Sequence, residues 1–334
     1  MTDETLRFDA AINPYGCSPR VEEALVEFAR SRSYNHYGEQ RGETLRDRLA
    51  DHLGVSPEHI IVYNGSGEAL MWLFISRLLF EKGRLAIPSP TYERFLLAGQ
   101  RCATKVVEIP LSPGDFALPV ETFIDEGQRH NVTMALMSNP NNPSGNLLLN
   151  DHSLDRMLCE LPECLFVIDE AYADYTGKSY ATWVRERENL VILRTFSKAY
   201  GLAGLRIGYA VANPDIIRGL TAFQIPWSVD SMALVAAITA LADQAYLRQT
   251  VCQIHADREV LKAGLAQISG IEVYPSDTNF FLIRLVDIDP EHAIIALAKN
   301  QIRVRRRSDM PDYIRITSLL PAENERLLDT ITTL

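Results

Sequence analysis

One lysine is set apart by its neighbours. In Arg194-Thr195-Phe196-Ser197-Lys198-Ala199-Tyr200-Gly201-Leu202-Ala203-Gly204-Leu205-Arg206, two hydroxyls immediately precede Lys198, and an arginine follows it by eight residues across a glycine-rich turn. A lysine at a strand end in a crowded, water-poor site has a lowered pKa and can form a Schiff base, while Arg206, Thr195 and Ser197 can hold a phosphate. A solvated surface lysine is the plain alternative for any single Lys. In Phe166-Val167-Ile168-Asp169-Glu170-Ala171-Tyr172, Asp169 ends a run apolar enough to be buried on both faces. A charge there needs a partner, unless Asp169 simply caps a helix starting near Ala171. In Asn64-Gly65-Ser66-Gly67-Glu68-Ala69, a small-residue turn opens a helix whose free N–H groups and dipole favour phosphate. An ordinary left-handed turn with an N-cap reads from the same residues. Asn139-Pro140-Asn141-Asn142-Pro143-Ser144-Gly145 is a proline-stiffened loop that would hold amide side chains toward a cofactor oxygen or a substrate carboxylate.

These groups share a position, because each follows a short β-branched or apolar run. Strands are expected at Ile60 to Tyr63, Arg84 to Ile87, Lys105 to Ile109, Thr133 to Ser138, Leu165 to Ile168, Val191 to Thr195 and Ile207 to Ala212. Helical periods lie between them, near Gly67 to Phe80, Tyr92 to Gln100, Pro119 to Gln128 and Asp151 to Leu161, with a short one after Lys198. The alternation predicts an α/β fold with a mostly parallel sheet flanked by helices, whose ligands sit at the carboxyl ends of the strands. Beyond about Ala212 the texture changes to that of a smaller α+β domain. It has a long helix from about Ser231 through Gln267, a helix at Pro290 to Asn300, and strands at Ile271 to Tyr274, Asn279 to Arg284, Ile302 to Arg305 and Tyr313 to Thr317.

The chain has 334 residues, and 33 Lys+Arg against 43 Asp+Glu leave a net charge of −10, which argues against nucleic acid as a partner. A composition 47% hydrophobic and 23% charged is that of a globular protein, and no apolar stretch is long enough to span a membrane. The N-terminus lacks the basic start and apolar core of a signal peptide, so the mature chain is expected to begin near Met1 and to reside in the cytoplasm. Five scattered cysteines with no C-x-x-C predict neither a metal site nor a disulfide frame. Cys17 lies near a motif but has no histidine partner for thiolate chemistry.

Together, Thr195 to Gly208, Asn139 to Gly145, Asp169 to Tyr172, Asn64 to Ala69 and Pro90-Thr91-Tyr92 resemble the fold-type-I pyridoxal-phosphate aminotransferases of classes I and II, in order and over the whole chain. The resemblance implies a large cofactor domain at 31–230, a small domain from 231–334 with an N-terminal contribution from 1–30, and a homodimer with shared active sites. It makes Lys198 the Schiff-base lysine and proton carrier, and Asp169 the partner of the pyridinium nitrogen. Asn142 and Tyr172 match residues bonding the cofactor 3′-oxygen, and Tyr92 matches the aromatic on the ring. Phosphate would be held by Ser66, Gly67, Thr195, Ser197 and Arg206, and by Tyr37 of a neighbouring subunit. Arg315 matches the clamp on the substrate carboxylate, and Asn13 matches a segment that closes over the substrate, with Asn142 also facing it.

Within the family the chain is most similar to histidinol-phosphate aminotransferases and L-threonine-O-3-phosphate decarboxylases. The two reactions differ in which Cα bond stands perpendicular to the ring. Transamination of an L-amino acid is expected, as the commoner activity of this constellation, with decarboxylation as the alternative. Both relatives carry an additional N-terminal stretch, whereas this chain has seven residues before Phe8, so distal contacts made by that stretch are expected to be missing. The cluster Arg303, Arg305, Arg306 and Arg307 reads either as a receiver for an anionic side chain or as a solvated basic strand end. A cofactor sensor of the kind found in transcription regulators would need a DNA-binding module ahead of Phe8.

Overall fold

The computed structural model describes residues 5–333, and the expected chain start at Met1 lies outside them. Among these residues the first strand, β1 (Leu6–Arg7), pairs with a distant segment. Seven buried apolar runs then build one sheet: β2 (Ile60–Tyr63), β3 (Arg84–Ser89), β4 (Lys105–Pro110), β5 (Met134–Ser138), β6 (Leu165–Asp169), β7 (Leu190–Thr195) and β8 (Gly208–Ala212). Their order is β2-β8-β7-β6-β5-β3-β4, with β8 antiparallel to both neighbours and the remaining pairs parallel. Parallel neighbours need a crossover. Helices α1 (Pro19–Ser31) and α2 (Glu43–Leu53) precede β2, α3 (Ser66–Leu73) leads from β2 to β3, α4 (Glu93–Cys102), α5 (Val120–Arg129), α6 (Asp151–Glu160) and the short α7 (Ala173–Thr176) supply the crossovers between the parallel strands, and α8 (Pro214–Thr221) follows β8.

Every residue of β2, β5, β7 and β8 is buried, as a sheet covered on both faces requires. Successive side chains serve opposite faces. Ile60, Val62, Phe166, Ile168 and Ile192 join one core, and Ile61, Tyr63, Leu165, Val167 and Val191 the other. The seven expected strands of this sheet match the observed ones to within two residues. The expected helix from Gly67 to Phe80 changes at Leu73 into a π-helical stretch, Phe74–Phe80.

The expected long helix from Ser231 to Gln267 is two helices, α9 (Ser231–Ala242) and α10 (Gln244–Leu265). They part at Asp243, whose backbone leaves helical geometry (φ −100°, ψ 61°) and whose carboxylate accepts from Tyr246 N–H to cap α10. The α9 helix packs on α1 and α2 and joins the core of the large sheet through Ala233, Leu234 and Ala237. The small sheet contains β9 (Ile271–Val273), β10 (Phe280–Leu285), β12 (Arg305–Arg307) and β13 (Met310–Thr317), in the order β12-β13-β10-β9. The expected strand Ile302 to Arg305 divides. Its first part, β11 (Ile302–Arg303), pairs in parallel with β1, and its second lies on β13. With α11 (Pro290–Lys299) and α12 (Pro321–Thr332), this region encloses Phe8, Phe281, Ile283, Leu297 and Ile316.

Candidate active site

A cavity of about 410 Å³ lies where the carboxyl ends of β2, β5, β6 and β7 meet the small sheet. Ser66, Gly67, Tyr92, Asn142, Asp169, Tyr172, Thr195, Ser197, Lys198, Arg206 and Arg315 all line it. For all but Arg315, which comes from β13 of the small sheet, the common cause is topology, since parallel strands deliver their following loops to one edge.

One end of the cavity is a ring of hydrogen-bond donors. Gly65, at φ +87°, turns the chain from β2 into α3, and α3 begins with no side chain capping its first N–H groups. Glu68, which could have served, accepts from Asn64 N–H and Nδ2 instead. A Cβ on residue 65 would meet Arg206 Nη2 at 2.9 Å, so glycine lets the guanidinium approach the turn. Arg206 also reaches Ser197 Oγ at 3.5 Å, and Thr195 Oγ1 lies 3.0 Å from Ser197 Oγ. Such a set suits a dianion such as phosphate.

At the centre, Lys198 Nζ donates to the Ala10 carbonyl at 3.3 Å and sits 5.5 Å from the Tyr172 ring centroid. Burial, then the positive charge of Arg315, push its pKa down to about 8, against the pull of Asp169. Asp169 ends β6 and accepts from Ala171 N–H at 3.1 Å. Burial raises its pKa to about 6, opposed by that hydrogen bond and by Lys198. A carboxylate so placed favours a proton-bearing partner beside it. Asn142 Nδ2 donates to Tyr172 Oη at 3.3 Å, while Tyr92 covers the mouth edge-on to Phe95.

Glu170 points through the opposite face of β6, where it meets Arg194 from β7 at 3.1 Å. Arg194 also binds Asp174 at 2.6 Å, and Glu170 accepts from Ser179 Oγ and Tyr180 N–H. Only 1% of Glu170 is exposed, so removing its carboxylate leaves the buried Arg194 with Asp174 alone and strands Ser179 Oγ and Tyr180 N–H. Glu170→Ala is expected to cost about 3–5 kcal/mol of stability. Urea unfolding checks this, and a change below 1 kcal/mol would contradict it.

On the small-sheet side Arg315 is buried against the Phe280 ring. It donates to Asn142 Oδ1 at 2.9 Å and to the Asp9 carbonyl at 2.5 Å, and its Nε has no hydrogen-bond partner. No carboxylate shares it among the described ion pairs, which leaves it ready for an incoming anion. The neighbouring arginines differ. Arg303 meets Asp9 at 3.1 Å, Arg305 pairs with Glu93, Arg306 meets Glu291 at 2.5 Å and Arg307 meets Asp309 at 2.6 Å. Of the two readings of this cluster, the pairings favour the basic strand end over an open receiver for an anionic side chain, because each cation already holds an acid.

Two expected residues are absent from the cavity lining. Asn13 is buried beneath it, donating through Nδ2 to the Ala199 carbonyl and accepting from Tyr15 N–H, so here it braces the lysine loop. Tyr37 is 83% exposed and rests on Trp227 at a ring distance of 5.1 Å, away from this chain's own cavity. Conversely, the sequence reading missed Asp9, Ala10 and Glu93. The first two act through backbone carbonyls, which no residue type announces. Glu93 lies 212 residues from its partner Arg305.

Comparisons with known proteins agree with this arrangement. Residues 3–331 match the family model described as aminotransferase class I and II. A histidinol-phosphate aminotransferase of Thermococcus gammatolerans is 35% identical over 327 residues, covering 98% of this chain and 91% of the relative. The solved L-threonine-O-3-phosphate decarboxylase of Porphyromonas gingivalis superposes with a TM-score of 0.84 at 30% identity, covering 98% of both chains. The histidinol-phosphate aminotransferase of Sinorhizobium meliloti, solved in complex with pyridoxal-5′-phosphate, superposes with a TM-score of 0.87 at 26% identity, covering 97% of this chain and 89% of that one. These matches bear out the expected fold type, cofactor and transaminase class, and the chain belongs to the aminotransferase class I and II family.

Proposed function

We propose that this enzyme is a pyridoxal-phosphate-dependent aminotransferase of the histidinol-phosphate aminotransferase type, acting through Lys198 on the amine-bearing carbon of a small anionic substrate. The observation that carries the reading is the convergence of Lys198, Asp169, Arg206 and an unshared Arg315 on one cavity. The cavity's chemistry fits the cofactor: uncapped N–H groups and Arg206 for a phosphate, a buried acid for a ring nitrogen, and an orphaned Arg315 Nε for a substrate anion.

When bound, pyridoxal phosphate supplies an aldehyde carbon and an electron-accepting ring. Ser66 and Gly67 N–H, Thr195, Ser197 and Arg206 would hold its phosphate. Asp169 would keep a proton on the ring nitrogen, Asn142 with Tyr172 would bond the ring oxygen, and Tyr92 would contact the ring. Lys198 is close enough to neutral to take a proton from the substrate carbon and return it. Arg315 would fix the substrate so that the bond to hydrogen, rather than the bond to a carboxylate, is the one weakened.

A second reading, amino-acid decarboxylation, is supported by the likeness to the Porphyromonas enzyme. The test is to mix the yellow holoenzyme, without keto acid, with L-histidinol phosphate and with O-phospho-L-threonine. Loss of the visible band with L-histidinol phosphate, and carbon dioxide from neither compound, is the expected outcome. Carbon dioxide release with the band restored would replace it by the decarboxylase. We further propose a homodimer in which Tyr37 serves the partner's cofactor phosphate, supported by its exposure away from its own cavity. Light scattering should give about twice 37.5 kDa, and a monomeric holoenzyme would refute this.

A further inference from the structure

The cationic wall of the cavity is balanced to an unusual degree. Arg305 and Arg315 lie directly opposite each other on β12 and β13. Opposed residues of an antiparallel pair stand about 5 Å apart on one face, where like charges repel. The positive charge of Arg305 is among the influences that lower the Arg315 pKa, after burial. Glu93 resolves this from the other side of the cavity. It is the first residue of α4, where the helix dipole favours a carboxylate, and its Oε1 takes Arg305 Nη2. Both side chains line the cavity, with 41% of Arg305 and 33% of Glu93 exposed. Arg307 offers no substitute seat, because its guanidinium is spent on Asp309 and the Thr91 carbonyl.

We propose that Glu93 sets the charge selectivity of the site: by occupying Arg305 it leaves Arg315 as the seat for a single anion, and it turns away substrates whose distal group is a second anion. The inference rests on the aminotransferase reading above and deepens it. A distal carboxylate or phosphate reaching Arg305 would have to displace Glu93 and then lie beside its charge. A neutral distal group leaves the pair intact. The substrate class is therefore a primary amine with one anionic group and an uncharged, hydrogen-bonding tail. An imidazole can accept from Arg305 or donate to Glu93, and L-histidinol phosphate has this charge pattern. O-phospho-L-threonine, with a carboxylate and a phosphate, does not.

The experiment compares pentanoate and glutarate, matched in length and differing by the second carboxylate, titrated calorimetrically into the holoenzyme. Glu93→Gln should shift the glutarate-to-pentanoate affinity ratio toward glutarate tenfold or more. Adding Arg305→Met should abolish that gain, as expected if the two residues act as one unit. An unchanged ratio in Glu93→Gln, or a gain that survives loss of Arg305, overturns the proposal. Pentanoate binding no more tightly to wild type than to Arg315→Gln would instead overturn the Arg315 seat and the functional reading beneath it.

Discussion

Lys198→Ala is expected to reduce turnover by about 10⁴-fold, because on the proposed reading one substitution removes both the covalent anchor and the proton carrier. The visible absorbance of the lysine-linked cofactor should vanish with it, while folding stability at neutral pH is unchanged or improved. The reason lies in the cost of the lysine to the empty fold. Its pKa is depressed from 10.5 to about 8 by burial and by Arg315. Between those two pH values the unfolded chain holds a proton that the folded chain has lost, so this group's contribution to stability rises with pH across that window. Below about pH 8 its burial is a constant penalty. The same shift governs loading. At pH 7 roughly one amine in ten is neutral, so the rate at which apoprotein takes up cofactor should climb about tenfold per pH unit and level off near pH 8. A rate still climbing at pH 10 would mean that Lys198 is unperturbed, and a Lys198→Ala enzyme with ordinary turnover would end the assignment.

Asp169→Asn should separate stability from activity. Burial raises this carboxyl to about 6 from 3.8, so the folded chain binds the proton more tightly than the unfolded chain. Its contribution to stability is therefore fully present below about pH 4 and is lost as pH rises through 6. At pH 7 the apoprotein carries an acid poised for a partner that the cofactor brings. Replacing it by the neutral amide should raise the apo Tm by about 2–4 °C. It should also lower kcat by about 10³-fold, on the scale of losing one preorganised electrostatic contact. Calorimetry and steady-state kinetics on the same preparation decide the matter. A lowered Tm with near-normal kcat would show that Asp169 is structural.

The large sheet was legible because its central strands are short runs buried on both faces and bounded by turn residues, while the edge strand β4 alternates buried and exposed residues. The chemistry was legible for a related reason, since polar residues in fixed order must follow such runs at one sheet edge. Four helices were overlooked, three of them despite local signals. Ser18 with Pro19, and Asn213 with Pro214, are a cap followed by proline at the first helical position, and Glu323 reaches back to Leu320 N–H at the start of α12. Only α2 starts without such a signal, behind Gly42. The break at Asp243 was missed because alanine-rich flanks hide a lone capping aspartate. Apart from Arg307 with Asp309, two residues away, the charge balance of the arginine cluster was not readable. Asp9 reaches Arg303 through the pairing of β1 with β11, and Glu93 reaches Arg305 where the small sheet meets the large one, both distant in sequence from their partners.

The pairing of β1 with β11 has a consequence for how the protein is made. Leu6 and Arg7 leave the ribosome early, yet their partners Ile302 and Arg303, and Arg315 beyond them, emerge nearly 300 residues later. At about 5–20 residues per second that interval is roughly 15–60 s. The edge of the large sheet proposed to hold the cofactor can be complete by Ala212, well before the Asp9 carbonyl has a guanidinium to accept from. A nascent or prematurely terminated chain could thus carry the phosphate cradle and Lys198 but no substrate seat, so competence for substrate is itself a report that translation has run to the last strand.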